Sequence, residues 1–486
     1  MTDQPRTGST AFVLAGGGTK GSFEAGALQY LVGVEGITPD VITATSAGAV
    51  AAAVLAQART LEEFGSRVQE IEDDILAMTR TEHVFGEQPW LRALKGTSLG
   101  DAVTFAMTEG TRPPLPHGDP NHGQDDQPVI APLSSRAGRR ATRREHRRRR
   151  RHRFAMVAGA LHRLPKVRRK LKTSGTSVLN LTPLGEALVA GGSSGIRPIE
   201  PALVSRPGLQ LRLAVTALRA GVLRYVTEDG SIVEDDAVTP APGAAAGPVS
   251  FVDGVLASAS VPLVFPPQPL ADDDYVDGGV LQVIPVRAAV QLGATRIIAV
   301  VAVPLALGRD ERDYTHGSAV DVGIRAMGMI NMAERQHENL ATPLPPGATL
   351  TTIDPVVDVV GFFEVQPGLL RINKDYGWLR AADVLAQGDA SLLADVAEQT
   401  HALTRARLRA WHLEEAMWAT GRRGETVEPG TLALLRERKD EIADAVAQRK
   451  HLGFPVPDGC ETWWTQYEVH GGFKPTNLPP CPCPRA

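Results

Sequence analysis

The chain is poor in cysteine and has no long apolar run. Its 486 residues include only Cys460, Cys481 and Cys483, all near the C-terminal end. So few cysteines exclude a disulfide framework for the core and are typical of a reducing compartment. No stretch of about 18 uninterrupted apolar residues is present, which argues against a membrane-spanning helix, and the opening MTDQPRTGST lacks the layout of a secretory signal. We therefore expect a cytoplasmic protein.

The composition is that of a globular protein with one block of positive charge. Apolar residues make up 43% and charged residues 22% of the chain, as in soluble domains that bury a sizeable core. Between residues 136 and 172 there are 17 Lys or Arg and a single acid, Glu145, whereas the rest carries 34 bases and 54 acids. An acidic body therefore carries one strongly basic segment.

The N-terminal part has the pattern of a β-α-β unit. The apolar stretch 11–15 predicts a strand, the spacing of apolar residues over 20–33 predicts a helix, and the β-branched stretch 40–45 predicts a second strand. An Ala-rich helix follows at 47–58. Such a crossover makes the two strands parallel neighbours and brings the loops after them to one edge of the sheet. Open α/β sheets bind their ligands at that edge.

The loop after the first predicted strand, GGGTKG at 16–21, formally matches the G-x-G-x-x-G dinucleotide fingerprint. A dinucleotide site also needs an acidic residue at the end of the second strand, and Ser46 stands there instead. A phosphate-binding loop needs Gly-Lys-Ser/Thr, whereas this chain has Lys-Gly-Ser at 20–22. The pattern therefore argues against a nucleotide site.

Ser46 lies where the second strand meets the Ala-rich helix. The pentapeptide from Ala44 to Gly48, ATSAG, resembles the G-x-S-x-G nucleophile elbow, with alanine in place of the first glycine. A serine that merely caps an Ala-rich helix would give the same pentapeptide. The glycine loop favours the nucleophile, because the backbone N–H groups of Gly16, Gly17 and Gly18 would lie at the same sheet edge and form an oxyanion hole.

Asp277 is the candidate general base. It follows a short Tyr-Val strand and precedes Gly278 and Gly279, which would let the carboxylate project from a tight turn. An Asp-Gly-Gly sequence is also a common hairpin turn, so the tripeptide alone leaves both interpretations open.

Together these motifs resemble the patatin-like phospholipase family. They occur in the order GGGxKG (16–21), xxSxG (44–48), the block ASASVPLVFPP (257–267) and DGG (277–279). The block differs from the family's usual pattern at Ser260, where a second alanine is common. The resemblance covers roughly residues 10 to 305, interrupted by the segment 110–175.

The resemblance implies a Ser-Asp dyad and a three-layer α/β fold with a central, mostly parallel sheet. Ser46 would attack an acyl ester of a lipid, such as a phospholipid or lysophospholipid, and Asp277 would act as the general base. It implies no metal and no organic cofactor. The residues that would support the motifs are Lys20, Gly21, Ala44, Gly48, Gly278 and Gly279. Because of Ala44, a weak or inactive lipid-binding scaffold on the same fold is the alternative.

The predicted domain organisation is a catalytic domain over 1–360 and a helical extension with an aromatic, Pro-rich tail over 361–486. A Pro/Gly-rich and Arg-rich insertion, which we expect to be partly disordered, occupies 110–175. Further strands are predicted at 209–218, 221–230 and 295–305, and helices at 372–399, 401–420 and 430–449.

The basic segment 136–172 has several interpretations. It is either a solvated insertion or a segment that docks on an anionic membrane surface, since each base near such a surface contributes about 1 kcal/mol. The second interpretation would place the protein peripherally at the inner membrane surface. Too few aromatic residues interleave the bases to favour nucleic-acid binding. The densest run consists of Arg147, Arg148, Arg149, Arg150 and Arg151.

Two further sets of residues are functional candidates. His470 and the three cysteines form a conceivable zinc set, but their spacing matches no known zinc pattern. His316 and His337 follow Asp277 in the order of a Ser-Asp-His triad, yet neither lies in a motif that indicates this role. The sequence therefore favours neither set.

Overall fold

The computed structural model describes residues 8–88, 177, 179–191, 196–242, 247–271, 273–305, 322, 326, 335–471 and 474–482. The predicted insertion at 110–175, which includes the basic segment 136–172, lies outside the described residues.

Strands and helices alternate through the first half of the chain, and helices dominate its end. The strands are β1 (Thr10–Leu14), β2 (Val41–Ala44), β3 (Gly86–Glu87), β4 (Leu179–Asn180), β5 (Gln210–Ala217), β6 (Val222–Thr227), β7 (Ile232–Val233), β8 (Gln268–Leu270), β9 (Asp273–Asp277), β10 (Arg296–Val300) and β11 (Thr349–Ile353). The α-helices are α1 (Ser22–Leu28), α2 (Ala47–Leu55), α3 (Leu61–Ala77), α4 (Thr182–Ala190), α5 (Pro201–Val204), α6 (Phe251–Ser258), α7 (Val286–Gln291), α8 (Arg335–Leu340), α9 (Pro367–Leu385), α10 (Ala390–Arg422), α11 (Pro429–His451) and α12 (Thr462–Thr465).

One large sheet organises the fold. Its strands follow the order β11-β10-β1-β2-β5-β6-β7, with β9 pairing with β5 and β8 pairing with β9. The pairs from β11 to β5 are parallel, and the pairs that involve β6 to β9 are antiparallel. The predicted α/β fold with a central, mostly parallel sheet is confirmed, as is the parallel pairing of the first two strands.

Alternating side chains of the strands form apolar layers on both faces of the sheet. Phe12 and Leu14 of β1 belong to the large core that α1, α2, α3 and α9 cover. Ala11 and Val13 point to the other face, where α7 packs. Helices on both faces of one sheet make the three-layer arrangement, and the strand carboxyl ends are left as the edge for a site.

Helices α1 and α9 pack with their backbones in close contact. A Cβ at Gly26 would overlap the carbonyl oxygen of Lys374, and a Cβ at Gly377 would overlap that of Phe23. Glycine is required at both positions because any side chain would force the helices apart. The helix after residue 360 therefore belongs to the same core as the sheet, while the division of the chain into domains at 360 stays a prediction.

Some predicted helices differ from those observed in their bounds. The helix predicted over 20–33 starts with a 3₁₀ turn at Gly18–Gly21, continues as α1 and ends in a π-helical turn at Gln29–Val34. The helix predicted over 372–399 is wrong at its C-terminal end, because α9 stops at Leu385 and α10 begins at Ala390. Within the described parts of the chain, no helix combines the length and apolarity needed to cross a membrane.

The C-terminal helices are joined by buried ion pairs. Lys439 of α11 contacts Glu414 of α10 at 2.7 Å, and neither side chain is exposed to solvent. Arg449 of α11 contacts Asp383 of α9, also at 2.7 Å. Removing one partner of such a pair would leave an uncompensated charge in the interior. These pairs fix how α9, α10 and α11 lie against one another.

Candidate active site

Ser46 occupies a sharp turn between β2 and α2. Its backbone has φ 55° and ψ −125°, a conformation that residues other than glycine rarely adopt and that is typical of a strained nucleophile elbow. The Ser46 N–H donates to Ser258 Oγ at 3.1 Å, and Ser258 Oγ donates to the Ala214 carbonyl at 2.7 Å. The turn is therefore held from α6 and β5, and the serine side chain is left for chemistry.

Of the small residues beside Ser46, Gly48 must be glycine for the elbow to pack, whereas position 44 accepts alanine. A Cβ at Gly48 would lie 2.7 Å from the Leu14 carbonyl oxygen and 2.8 Å from that of Ala15, so only glycine lets α2 approach β1 this closely. Ala44 is fully buried in β2 and pairs with Leu213 in regular strand geometry. Alanine at position 44 is thus compatible with the elbow.

Asp277 ends β9, the strand that pairs antiparallel with β5. Its N–H donates to the Ser260 carbonyl at 2.9 Å, and Thr216 Oγ1 donates to its carbonyl oxygen at 3.1 Å. A Cβ at Gly278 would overlap the Ala214 carbonyl oxygen, so the chain after Asp277 runs against β5. The predicted Asp-Gly-Gly turn is thereby built on the same strand that holds the serine elbow.

The Asp277 carboxyl is buried beside the serine, with 4% of the residue exposed. Burial raises its pKa to about 7, while the Ser46 hydroxyl and the Gly279 N–H stabilise the ionised form and lower the pKa in part. Oδ1 accepts the Gly279 N–H at 2.7 Å. Oδ2 accepts no hydrogen bond of standard geometry from the residues described. The serine hydroxyl thus approaches the carboxyl more loosely than a full hydrogen bond, as is common without substrate.

The glycine loop lies against Ser46. A Cβ at Gly16 would lie 2.9 Å from Ser46 Cβ and 3.6 Å from Ser46 Oγ. The Gly16 N–H donates to the Val283 carbonyl at 3.4 Å, whereas Gly17 and Gly18 donate no hydrogen bond to any residue in the described ranges. Gly18 has φ +59°, which favours glycine. Two backbone donors are therefore available near the serine.

A segment far along the sequence holds this loop in place. Thr19 donates its N–H to the Phe362 carbonyl at 3.0 Å and its hydroxyl to the Gly361 carbonyl at 2.6 Å. Lys20 Nζ contacts Asp358 at 2.5 Å. Sequence reasoning missed this segment, and no local pattern marks it, because the contacts join residues more than 300 positions apart.

An apolar cavity opens beside the serine. It encloses about 1040 Å³, part of it open to solvent. Ser46 lies in its wall, together with apolar residues of α2, α3 and α4 and with Phe85, Phe265 and Phe363, whose ring centroids lie 5.5 to 6.1 Å apart. Such a lining fits the hydrocarbon chain of a lipid.

None of the candidate histidines and cysteines that the structure describes lines this cavity. Arg147 to Arg151 and His316 fall outside the described residues, and His337 lies in α8. His470 bonds Glu414 and Glu415 through its two ring nitrogens at 2.9 and 2.8 Å. Among the residues that the structure describes, no group of three or more His, Cys, Asp or Glu could hold a metal ion.

The family model for patatin-like phospholipases matches residues 12–290, more than half of the chain and the whole stretch from the glycine loop to Asp277. The chain belongs to the patatin-like phospholipase family. The resemblance predicted from the motifs is thus confirmed. Membership of the patatin-like phospholipases supports a lipid hydrolase function.

Two solved structures resemble this patatin-like phospholipase weakly. VipD from Legionella pneumophila is 15% identical, with 91% of this chain and 84% of that chain covered and a TM-score of 0.28. The type III effector protein ExoU is 12% identical, with 95% and 77% covered and a TM-score of 0.20. A comparison with curated proteins gives no match. The family assignment rests on the family model alone.

Proposed function

We propose that the protein is a serine hydrolase that cleaves acyl esters of phospholipids or lysophospholipids through a Ser46–Asp277 dyad. The observation that carries this proposal is a strained serine in the wall of an apolar cavity that lies beside a buried carboxyl of raised pKa. Perturbed titratable groups in a cleft are typical of catalytic sites.

In the first step, Ser46 Oγ attacks the ester carbonyl carbon while Asp277 takes the serine proton. The oxyanion of the tetrahedral intermediate accepts hydrogen bonds from the N–H groups of Gly17 and Gly18, the two loop donors that are not already engaged. We leave Gly16 out of the oxyanion hole because its N–H is bonded to Val283. Collapse of the intermediate releases the alcohol, which takes the proton from Asp277, and leaves an acyl group on Ser46.

In the second step, Asp277 accepts a proton from a water molecule that attacks the acyl-enzyme carbonyl. The tetrahedral intermediate then collapses, Ser46 Oγ takes the proton from Asp277, and the fatty acid is released. A pKa near the working pH suits this residue, because it must both accept and return a proton. The acyl chain would lie in the apolar cavity, where burial of its methylene groups contributes about 0.8 kcal/mol each.

Fatty acid released from phosphatidylcholine, lysophosphatidylcholine and triacylglycerol tests the proposal. The wild-type protein should hydrolyse at least one phospholipid ester, Ser46→Ala should lose the activity, and Asp277→Asn should lose nearly all of it. A folded wild-type protein that binds these lipids without releasing fatty acid would support the lipid-binding scaffold instead. Activity that survives in Ser46→Ala would contradict the dyad.

We further propose that the basic segment 136–172 docks the enzyme on an anionic membrane. The charge of this segment supports the proposal, since it contains 17 bases and a single acid. Deletion of 136–172 should reduce co-sedimentation with phosphatidylglycerol vesicles and spare hydrolysis of a small soluble ester. Unchanged vesicle binding would contradict this role.

A further inference from the structure

Glu24 is a buried acid that the proposed mechanism does not use. It lies on α1, has no exposed surface, and contributes to the wall of the same cavity as Ser46. Neither of its carboxyl oxygens has a hydrogen-bond partner among the described residues. An unpaired carboxyl in an apolar environment is costly, so its presence at the cavity calls for an explanation.

The position of Glu24 is close to the nucleophile. Gly21 lies between Glu24 and Ala47, the residue that follows Ser46. A Cβ at Gly21 would lie 3.8 Å from Glu24 Oε2 and 3.5 Å from the Cβ of Ala47. A chain esterified to Ser46 and lying in the cavity would therefore bring its first few carbons near this carboxyl.

The environment of Glu24 favours its protonated form. Burial raises its pKa well above the ordinary range, and the nearby Ala15 N–H, whose own hydrogen bond goes to the Val300 carbonyl at 3.1 Å, lowers it only in part. A protonated carboxyl offers one O–H donor and a carbonyl acceptor. Neither carboxyl oxygen has a hydrogen-bond partner among the described residues that could use this donor or acceptor.

A second buried acid lies elsewhere in the same cavity. Asp74 of α3 is 7% exposed, and its Oδ1 has no partner among the residues described. It interacts with Arg197, which lies next to the cavity residue Ile196. Asp74 is thus partly compensated by a cation, whereas burial and the Ala15 N–H are the influences on Glu24 and no cation is among them.

We infer that the preferred acyl chain carries a hydroxyl group near its carboxyl end and that Glu24 binds this hydroxyl. A plain alkyl chain would cover the carboxyl and leave it unpaired, whereas a hydroxyl would satisfy it as both donor and acceptor. Leaving a buried polar group unpaired costs about 1–3 kcal/mol, which gives the site a basis for discrimination. This inference rests on the proposed ester hydrolase function.

The test compares 4-nitrophenyl esters of dodecanoic acid and 3-hydroxydodecanoic acid by kcat/KM. The wild-type protein should prefer the hydroxy ester about tenfold or more over the plain ester. Glu24→Leu should abolish this preference mainly by improving the plain ester, and Glu24→Gln, which keeps a donor and an acceptor, should retain part of it. Asp74→Asn, the matched change in the other cavity acid, should keep the preference.

The outcomes separate this inference from the function it rests on. If Ser46-dependent hydrolysis occurs but the wild type treats both esters alike, the inference is wrong and the hydrolase stands. A preference that is unchanged in Glu24→Leu, or lost in Asp74→Asn, would also overturn it. If neither ester is hydrolysed, the inference fails, and hydrolysis of a phospholipid ester then decides whether the proposed function stands. If Glu24→Leu does not fold, the ratio of kcat/KM on the hydroxy ester to kcat/KM on the plain ester, measured for the wild type and for Glu24→Gln, still tests the inference.

Discussion

Ala44 and Asp277 pair with residues of β5 that are two positions apart, Ala44 with Leu213 and Asp277 with Val215. Strand β2 runs parallel to β5 and β9 runs antiparallel to it, so the two strands point toward each other along one edge of β5. Ser46, two residues beyond the end of β2, therefore meets Asp277 at the end of β9. Backbone pairing, rather than a flexible loop, fixes the separation of the proposed dyad.

The raised pKa of Asp277 predicts the pH dependence of catalysis. A general base must be ionised, so kcat/KM should fall as the pH drops through about 7. Initial rates on a soluble ester between pH 5 and 9, where the substrate does not titrate, would measure this. A flat profile across that range would contradict Asp277 as the base.

The same carboxyl should lower the stability of the fold above neutral pH. Its pKa of about 7 in the folded state lies above the unfolded value of about 3.9. The folded state therefore holds its proton more tightly, and the cost of ionising Asp277 grows as the pH rises from 4 to 7. Asp277→Asn should remove roughly 4 kcal/mol of this cost at pH 8 and almost none at pH 4.

Thermal melting of both proteins at the two pH values tests the stability prediction. The Asn variant should melt at a higher temperature than the wild type at pH 8, and the difference should shrink at pH 4. Equal melting temperatures of the wild type and Asp277→Asn at pH 8 would contradict the predicted cost of ionising a buried Asp277 carboxyl.

Ser258 is expected to act as a positioning residue for the nucleophile. Ser258→Ala removes the acceptor of the Ser46 N–H, so the strained elbow should become less well ordered. We expect kcat to fall about tenfold, the value of one good hydrogen bond, with KM and the pH midpoint unchanged. Ser260→Ala is the matched control, since Ser260 Oγ bonds the Leu256 carbonyl, and it should change kcat less than twofold.

Ala44 is not expected to limit the enzyme. It occupies regular strand geometry in the core, so Ala44→Gly should leave kcat/KM within about threefold and lower the melting temperature, because glycine in a strand costs about 0.5–1 kcal/mol. Gly48→Ala, by contrast, should abolish activity through contact with the carbonyl oxygens of β1. A large gain of activity in Ala44→Gly would mean that alanine distorts the elbow.

The sequence predicted the parts of the site that depend on local patterns. The glycine loop, the serine elbow and the Asp-Gly-Gly turn each need small residues at fixed offsets, and the parallel β1–β2 pair follows from the crossover between them. The sequence also contains a signal for the break between α9 and α10, because Asp389 is a typical helix N-cap and accepts the Ser391 N–H at 2.9 Å. The helix predicted over 372–399 nevertheless extends across this position.

Contacts between distant segments could not be predicted in this way. Nothing near Thr19 in the sequence indicates that Phe362 would cover the glycine loop, and nothing near Asp277 indicates pairing with β5. The burial of Glu24 could not be predicted either, since a single acid in an apolar helix usually lies on the solvent side. Only the packing of α1 against the sheet and α9 shows that its carboxyl is buried.

The most direct test of the proposed dyad is labelling with a fluorophosphonate followed by peptide mass mapping. The account predicts one adduct, on Ser46, that forms much more slowly in Asp277→Asn at pH 8 although that variant is folded. Labelling of a different serine, or equal labelling rates in the wild type and Asp277→Asn, would contradict the central claim that Asp277 activates Ser46.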